Sequence, residues 1–305
     1  MIKSEEISTI IGASLGIMGS LLIIILYIYF KEWKIFYRKL VLILSIYDFF
    51  LSLIFILPGS KYSFVCSIQF YLLSAFITTC QFWSASIAVL SYLKIANLFT
   101  DSKLNKIHLW LHLIMWIINF DLILFIFLLP KSEKSDTYWC TSTTNSWLIT
   151  IYTFIIFYIV ICLIFSILSI IKLNKSNKES SKGNYLQRIG EENQVFFQKR
   201  MTLLPIVGII IFIPGLIRRL REIINPSASD ILTLHILHSL LVSTQGFWDF
   251  LIFVILDPEM RKKMKSCCSK QKKEMAKTSS YKTIEKHVVN QIGEDFSDQE
   301  NQKLI

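Results

Sequence analysis

Long apolar runs alternate with short polar segments along most of this chain. Seven runs are each long enough to cross a bilayer: Ile7–Phe30, Leu40–Leu57, Cys66–Leu98, Ile107–Leu129, Trp147–Lys172, Met201–Leu220 and Ile231–Leu256. A crossing takes roughly 20 apolar residues at about 1.5 Å rise each. Backbone inside lipid must pair its own N–H and C=O groups, so the pattern predicts helices. Short connections between the runs predict antiparallel neighbours. The predicted fold is an all-α membrane protein, a seven-transmembrane helix bundle over residues 7–256 behind a short extracellular N-terminus, residues 1–6. The third run is the longest and must tilt or project beyond the membrane.

The pattern changes after Leu256. Asp257-Pro258-Glu259 reads as a helix start, with a side-chain cap, proline at the first position and acid in the first turn. Met260, Met264, Cys267 and Cys268 then share one face, surrounded by Arg261, Lys262, Lys263 and Lys265. Residues 257–268 are therefore expected to form a short amphipathic helix 8 on the inner membrane surface. Residues 269–305 read as a disordered cytoplasmic tail, and the polar segment Leu173–Arg200 as a flexible inner loop.

Composition agrees with the pattern. The 305 residues are 53% hydrophobic and 18% charged, with a mean hydropathy of +0.52. A soluble domain of this size carries more charge. The net charge of +10 does not imply nucleic acid, because the cations sit in loops and tail. Only Lys3, Lys61, Lys131, Lys134, Arg218, Arg219 and Arg221 fall outside if the amino terminus is extracellular. That asymmetry predicts a cytoplasmic carboxyl terminus, with the plasma membrane as the expected location. No cleavable signal peptide is evident.

Several residues stand out against this background. Asp48 and Asp249 lie nine and eight residues from the inner ends of the second and seventh runs, at similar depth. If those helices are neighbours, the acids can share water, a cation or a proton; otherwise they are independent helix-anchoring acids. Asp121 in the fourth run faces either a polar pocket or another helix. Pro205 and Pro214 predict a kinked sixth helix, acting as a lever or simply filled by its neighbours. Arg218, Arg219 and Arg221, with Lys61 on another outer loop, could hold an anionic ligand, or pair with Glu222, Asp230 or lipid phosphate. Cys66 and Cys140 both face the oxidising side, where they form a disulfide or remain separate thiols. Cys267 and Cys268 are juxtamembrane, as palmitoylated cysteines are.

Enzymatic motifs are missing. The chain has no HExxH, Ser-His-Asp set, P-loop or Cys/His metal spacing, so no enzyme activity, cofactor or metal is expected. The pairs His108/His112 and His235/His238 could bind a metal in principle, but read as interfacial histidines. The seventh run has no lysine, which argues against a retinal Schiff base. There is no internal repeat, which weakens a transporter reading.

Taken in order, several short stretches resemble the G-protein-coupled receptors of the cyclic-AMP receptor and cyclic-AMP-receptor-like family, with distant likeness to secretin and adhesion receptors. They are Gly19-Ser20, Phe36-Tyr37-Arg38-Lys39-Leu40, Leu44-Ser45 with Asp48, and Cys66 with Phe82-Trp83. Trp139-Cys140, Leu203-Leu204-Pro205-Ile206-Val207-Gly208, Ile213-Pro214 and Gln245-Gly246-Phe247-Trp248-Asp249 complete the set. The resemblance covers roughly residues 10–264. It implies a receptor for a small extracellular ligand that activates a heterotrimeric G protein, and it favours the Cys66–Cys140 bridge. It places G-protein contacts at the inner ends of the third and sixth helices, at Lys94, Lys199 and Arg200, and an activation switch at Asp48, Asp249, Pro205 and Pro214. Asp249 and Phe253 depart from the family's usual asparagine and tyrosine, and Tyr92-Leu93-Lys94 stands where rhodopsin-like receptors have a DRY motif. Membrane lipid is a further expected partner. The alternative is a seven-helix ion or proton transporter or channel built on the intramembrane aspartates.

Overall fold

The computed structural model describes residues 4–57, 63–96, 98–127, 132–134, 140–142, 145–180, 185–224, 232–267 and 269, and the side chains of most of them. Helix α1 runs Ser4–Tyr29, α2 Phe36–Ile56, α3 Ser63–Ile95 and α4 Asp101–Phe127. A hairpin of β1 (Ser132–Lys134) and β2 (Cys140–Ser142) follows, antiparallel, with Lys134 opposite Cys140. Helix α5 is Asn145–Ser180, α6 Tyr185–Ile224, α7 Leu232–Ser243 and α8 Gln245–Phe250. Helix α8 continues as one π-helical stretch, Leu251–Ile255.

Among the described residues, five helical segments are long and apolar enough to cross a membrane: Glu6–Tyr29, Phe36–Ile56, Val65–Ile95, Tyr152–Lys175 and Arg200–Arg218. A bent pair, Ile236–Ser243 with Gln245–Ile255, makes a sixth if taken as one span. The expected fourth span is helical as far as Phe127, but its side chains beyond residue 117 lie outside the described residues. The protein is a helical, multi-pass membrane protein.

Its polarity is inverted relative to a soluble domain. Ile11, Ile25, Ile28, Leu109, Trp110 and Trp116 are exposed, whereas Ser45, Asp48, Ser52, Gln81, Gln245 and Asp249 are buried. Lipid accepts the apolar exterior, so polar side chains turn inward to find partners. Helix α3 packs against α2, α4, α5 and α6 and is the central element. Its buried face is rich in small residues, including Ser74, Ala75, Thr78, Thr79, Ser84, Ala85 and Ala88. Small side chains let helices approach closely where no hydrophobic force pulls them together.

Two expectations about continuity are corrected. The inner segment Leu173–Arg200 is not a loop throughout: α5 extends to Ser180 and α6 begins at Tyr185. The stretch Leu186-Gln187-Arg188 through Glu191-Glu192 contains good helix formers, which carry the sixth helix beyond its apolar part. The seventh run is not one straight helix either, but bends by 49° between α7 and α8. At the bend, Ser243 Oγ donates to the Ser239 carbonyl at 2.7 Å and Thr244 Oγ1 to the Leu241 carbonyl at 2.9 Å. Back-bonding of this kind competes with the helical ladder and bends it, and Gly246 lowers the local cost. Helix α6, in contrast, runs through Pro205 and Pro214 without interruption.

A buried ion pair at the α1–α2 turn was not anticipated from sequence. Glu32 opens a single 3-10 turn, Glu32–Lys34, and its carboxylate accepts from Arg38 of α2. Both side chains are buried. Arg38→Met is expected to cost about 3–5 kcal/mol by leaving Glu32 charged and buried. Glu32→Gln in the same chain should recover most of that loss in a thermal unfolding series in detergent.

The chain divides into two compact units at Leu256. In the second, Asp257 Oδ1 accepts from the backbone N–H of Glu259 at 2.8 Å and of Met260 at 3.2 Å, the expected cap. Residues 258–267 are helical, with Arg261, Lys262 and Lys265 exposed and Lys263 paired to Glu259 at 3.1 Å. The expected tail from residue 270 lies outside the described residues.

Candidate functional site

The two acids singled out by depth come together. Asp48 from α2 and Asp249 from α8 lie within interaction range of each other, with Cys80 of α3 beside Asp48. Asp48 is fully buried and Asp249 nearly so. Both Asp48 carboxylate oxygens and Asp249 Oδ2 lack a donor, as does Oε1 of Gln245, which precedes Asp249 by one helical turn. Four buried acceptor atoms on two neighbouring helices, with the Cys80 thiol beside Asp48, are suited to a shared proton, a water or a cation.

The bend in the seventh run positions this site. Gln245 and Asp249 share a face of α8 just after the bend. The bend is held by close backbone approach to α1. A Cβ on Gly16 would meet the Ser243 carbonyl and Ser52 Oγ, and one on Gly19 would meet the Gly246 carbonyl and the Phe247 backbone. Gly246 in turn sits against the Gly16 carbonyl and Ser20. Ser52, one turn from Asp48 on α2, reaches the Ser243 carbonyl at 3.5 Å. Of the glycines at 12, 16 and 19 that make this seam, only Gly19 stands out in the sequence, as part of the family likeness.

At the other end of α6, Pro214 is followed by Gly215, whose missing side chain leaves room for the imidazole of His238 on α7. Arg218 and Arg221 lie one and two turns further along α6, both partly exposed and three residues apart, hence on one side. Arg221 Nη1 is buried without an acceptor. The side chain of Arg219, together with Lys61, lies outside the described residues.

Other expected residues are placed as follows. Lys94 is partly exposed in the last turn of α3. Arg200 is buried, with an interaction partner of its own, at the point where the apolar part of α6 begins. The side chains of Lys199, Asp121 and His235 lie outside the described residues. Cys66 is buried and disulfide-bonded. Its expected partner, Cys140, sits on β2 in a hairpin that lies against α3, but the Cys140 side chain is outside the described residues. Cys80, Cys162 and Cys267 are not in disulfides, and the Cys268 side chain is outside the described residues.

No protein-family model matches the sequence. Over 115 residues the chain is 32% identical to cyclic AMP receptor-like protein G of Dictyostelium discoideum. The match takes in 33% of this chain and 22% of that relative, so the chain aligns with about a fifth of the relative's length. A multi-pass helical membrane protein with a buried acidic pair thus carries a local likeness to a cyclic AMP receptor-like protein.

Proposed function

We propose that this protein is a seven-helix plasma-membrane receptor, amino terminus outside, that senses a small anionic ligand such as a cyclic nucleotide and activates a heterotrimeric G protein. The local likeness to a cyclic AMP receptor-like protein carries the reading. The helical membrane architecture and the buried Asp48–Asp249 pair support it. Arg221 Nη1 and Arg218 Nε, each buried without an acceptor, offer donors to a phosphate at the outer mouth, Arg218 keeping its present partner through the rest of its guanidinium. Cys66 is paired with Cys140, tying the hairpin to the outer end of α3. Cys267 and Cys268 carry lipid, and the 258–267 helix lies on the inner leaflet. Ligand must bind the active packing more tightly than the resting one for anything to shift. Lys94 and Lys199 face the G protein; Arg200 joins them only if its present partner releases it.

The test is guanine-nucleotide exchange on a heterotrimeric G protein, in membranes holding the full chain, with cyclic AMP outside. Stimulated exchange is expected, with loss of at least about tenfold in potency in Arg218→Ala/Arg221→Ala, since charge-assisted bonds contribute about 1.5–3 kcal/mol each. Exchange unaffected by the double substitution would remove the arginines from the ligand site. The second reading is an ion or proton pathway, favoured by the four unsatisfied acceptors around Asp48, Asp249 and Gln245. Ion flux without any nucleotide exchange, lost on Asp48→Asn, would select it.

A further inference from the structure

Three side chains able to ligate a metal collect on one face of α4, none of them part of the acidic pair. His108, His112 and Met115 are spaced at i, i+4 and i+7, so they line a single helical stripe. That stripe meets Trp83 of α3. His108, Met115 and Trp83 are buried, and His112 is half-buried. The two Nε2 atoms are 3.1 Å apart. The Trp83 ring lies 4.5 Å from the His112 ring and 5.6 Å from the His108 ring, centre to centre. Trp83 Nε1–H donates to Met115 Sδ at 3.0 Å, which ties the thioether to the same indole.

We infer that this cluster is a binding site for one monovalent copper ion, held by His108 Nε2, His112 Nε2 and Met115 Sδ beside Trp83. Two nitrogens 3.1 Å apart, each about 2.0 Å from a shared ion, subtend roughly 100° at it, an angle open to a third ligand. Thioether and imidazole together select monovalent copper over harder ions. Zinc is disfavoured because, among the described residues, no three His, Cys, Asp or Glu side chains converge on one point. Charge points the same way. All three donors are neutral, and burying a divalent ion without an anionic ligand is far costlier than burying a monovalent one. The indole face adds attraction for a cation. Lys39 is the charged neighbour of both imidazoles; it is partly exposed, and it repels a monovalent ion half as strongly as a divalent one. Without the ion, one ring donates Nε2–H to the other. On binding, that proton moves to the donor ring's Nδ1 and the freed nitrogen takes the metal, so no redox partner is needed.

From sequence, His108 and His112 could bind a metal in principle but read as interfacial histidines. What changes the reading is Met115 and Trp83, whose proximity depends on how α3 packs against α4. The inference stands independently of the receptor reading.

The experiment is anaerobic titration of the purified full chain in detergent with monovalent copper, against a chromophoric chelator. It is run in a Cys267→Ser/Cys268→Ser background, since those thiols could also take copper. One ion per chain is expected, bound through two nitrogens and one sulfur by X-ray absorption. His112→Gln should weaken binding at least about a hundredfold and Met115→Leu about tenfold, each tenfold being about 1.4 kcal/mol. Met115→Leu keeps the core volume and should also remove the sulfur signal, which guards against misfolding in the histidine variant. Absence of retained copper in that background, or retention unchanged by both substitutions, would overturn the site.

Discussion

Asp48→Asn is expected to cut cyclic AMP-stimulated nucleotide exchange by at least about tenfold while leaving the protein folded and at the surface. A tenfold loss corresponds to about 1.4 kcal/mol, a small demand on this site. Asp48 as a carboxylate offers four lone-pair directions and no donor, and only Asp249 and the Cys80 thiol stand close to it. Asparagine keeps the shape but brings an NH2 group within reach of Asp249. A direct amide–carboxylate bond would then fix α2 to α8, replacing an arrangement that exchanges water, proton or ion. Stability should hold or rise, because an unsatisfied buried acceptor is costly. Exchange that persists in a folded Asp48→Asn protein would reduce the acidic pair to a packing feature. Parallel thermal unfolding separates that outcome from simple loss of structure.

The second large effect concerns backbone contact. Gly19→Val is expected to destabilise the protein by about 3 kcal/mol or more, the range for overpacking a tight core. The added atoms would meet the Gly246 carbonyl and the Phe247 backbone, neither of which can rotate aside as a side chain could. Relief requires moving α1 away from the α7–α8 bend. Gly208 provides the control. Nothing lies within 4 Å of a Cβ placed there, so Gly208→Ala should be neutral or raise stability by up to about 1 kcal/mol. Equal loss in both variants, by thermal unfolding in detergent, would mean that generic helix effects and not the seam dominate.

Apolar run length was enough to locate the helices, because lipid imposes helical pairing wherever about 20 apolar residues occur. The starts of α2 and α3 fall within one turn of the apolar boundaries read from sequence. Depth counting along two runs also brought Asp48 and Asp249 to one level, and the structure adds the adjacency of α2 and α8 that makes them a pair. The bend at Thr244 was hidden because Ser243, Thr244 and Gln245 are individually tolerable in a membrane helix. Only the back-bonding geometry and the approach of Gly16 and Gly19 reveal the break. Hydropathy could not reveal the polar extension of α6 over residues 185–200, since helix formation there owes nothing to lipid. The engaged state of Arg200 was equally invisible, because charge counting assigns a basic residue to a loop without asking what it touches.

The glycine seam also constrains how the protein is made. Helix α1 leaves the ribosome well before α7 and α8, yet its closest approach is to their backbone. Until that later pair enters the membrane, the notch at Gly16 and Gly19 has α2 on one side and only lipid where α7 and α8 will lie, and lipid tails fit a narrow backbone groove poorly. Contact between the two ends of the membrane domain can therefore form only after α7 and α8 have been made. Chains arrested after α6 should present an open notch to the membrane chaperones and proteases of the cell, and a separately expressed α7–α8 segment is the natural piece to close it.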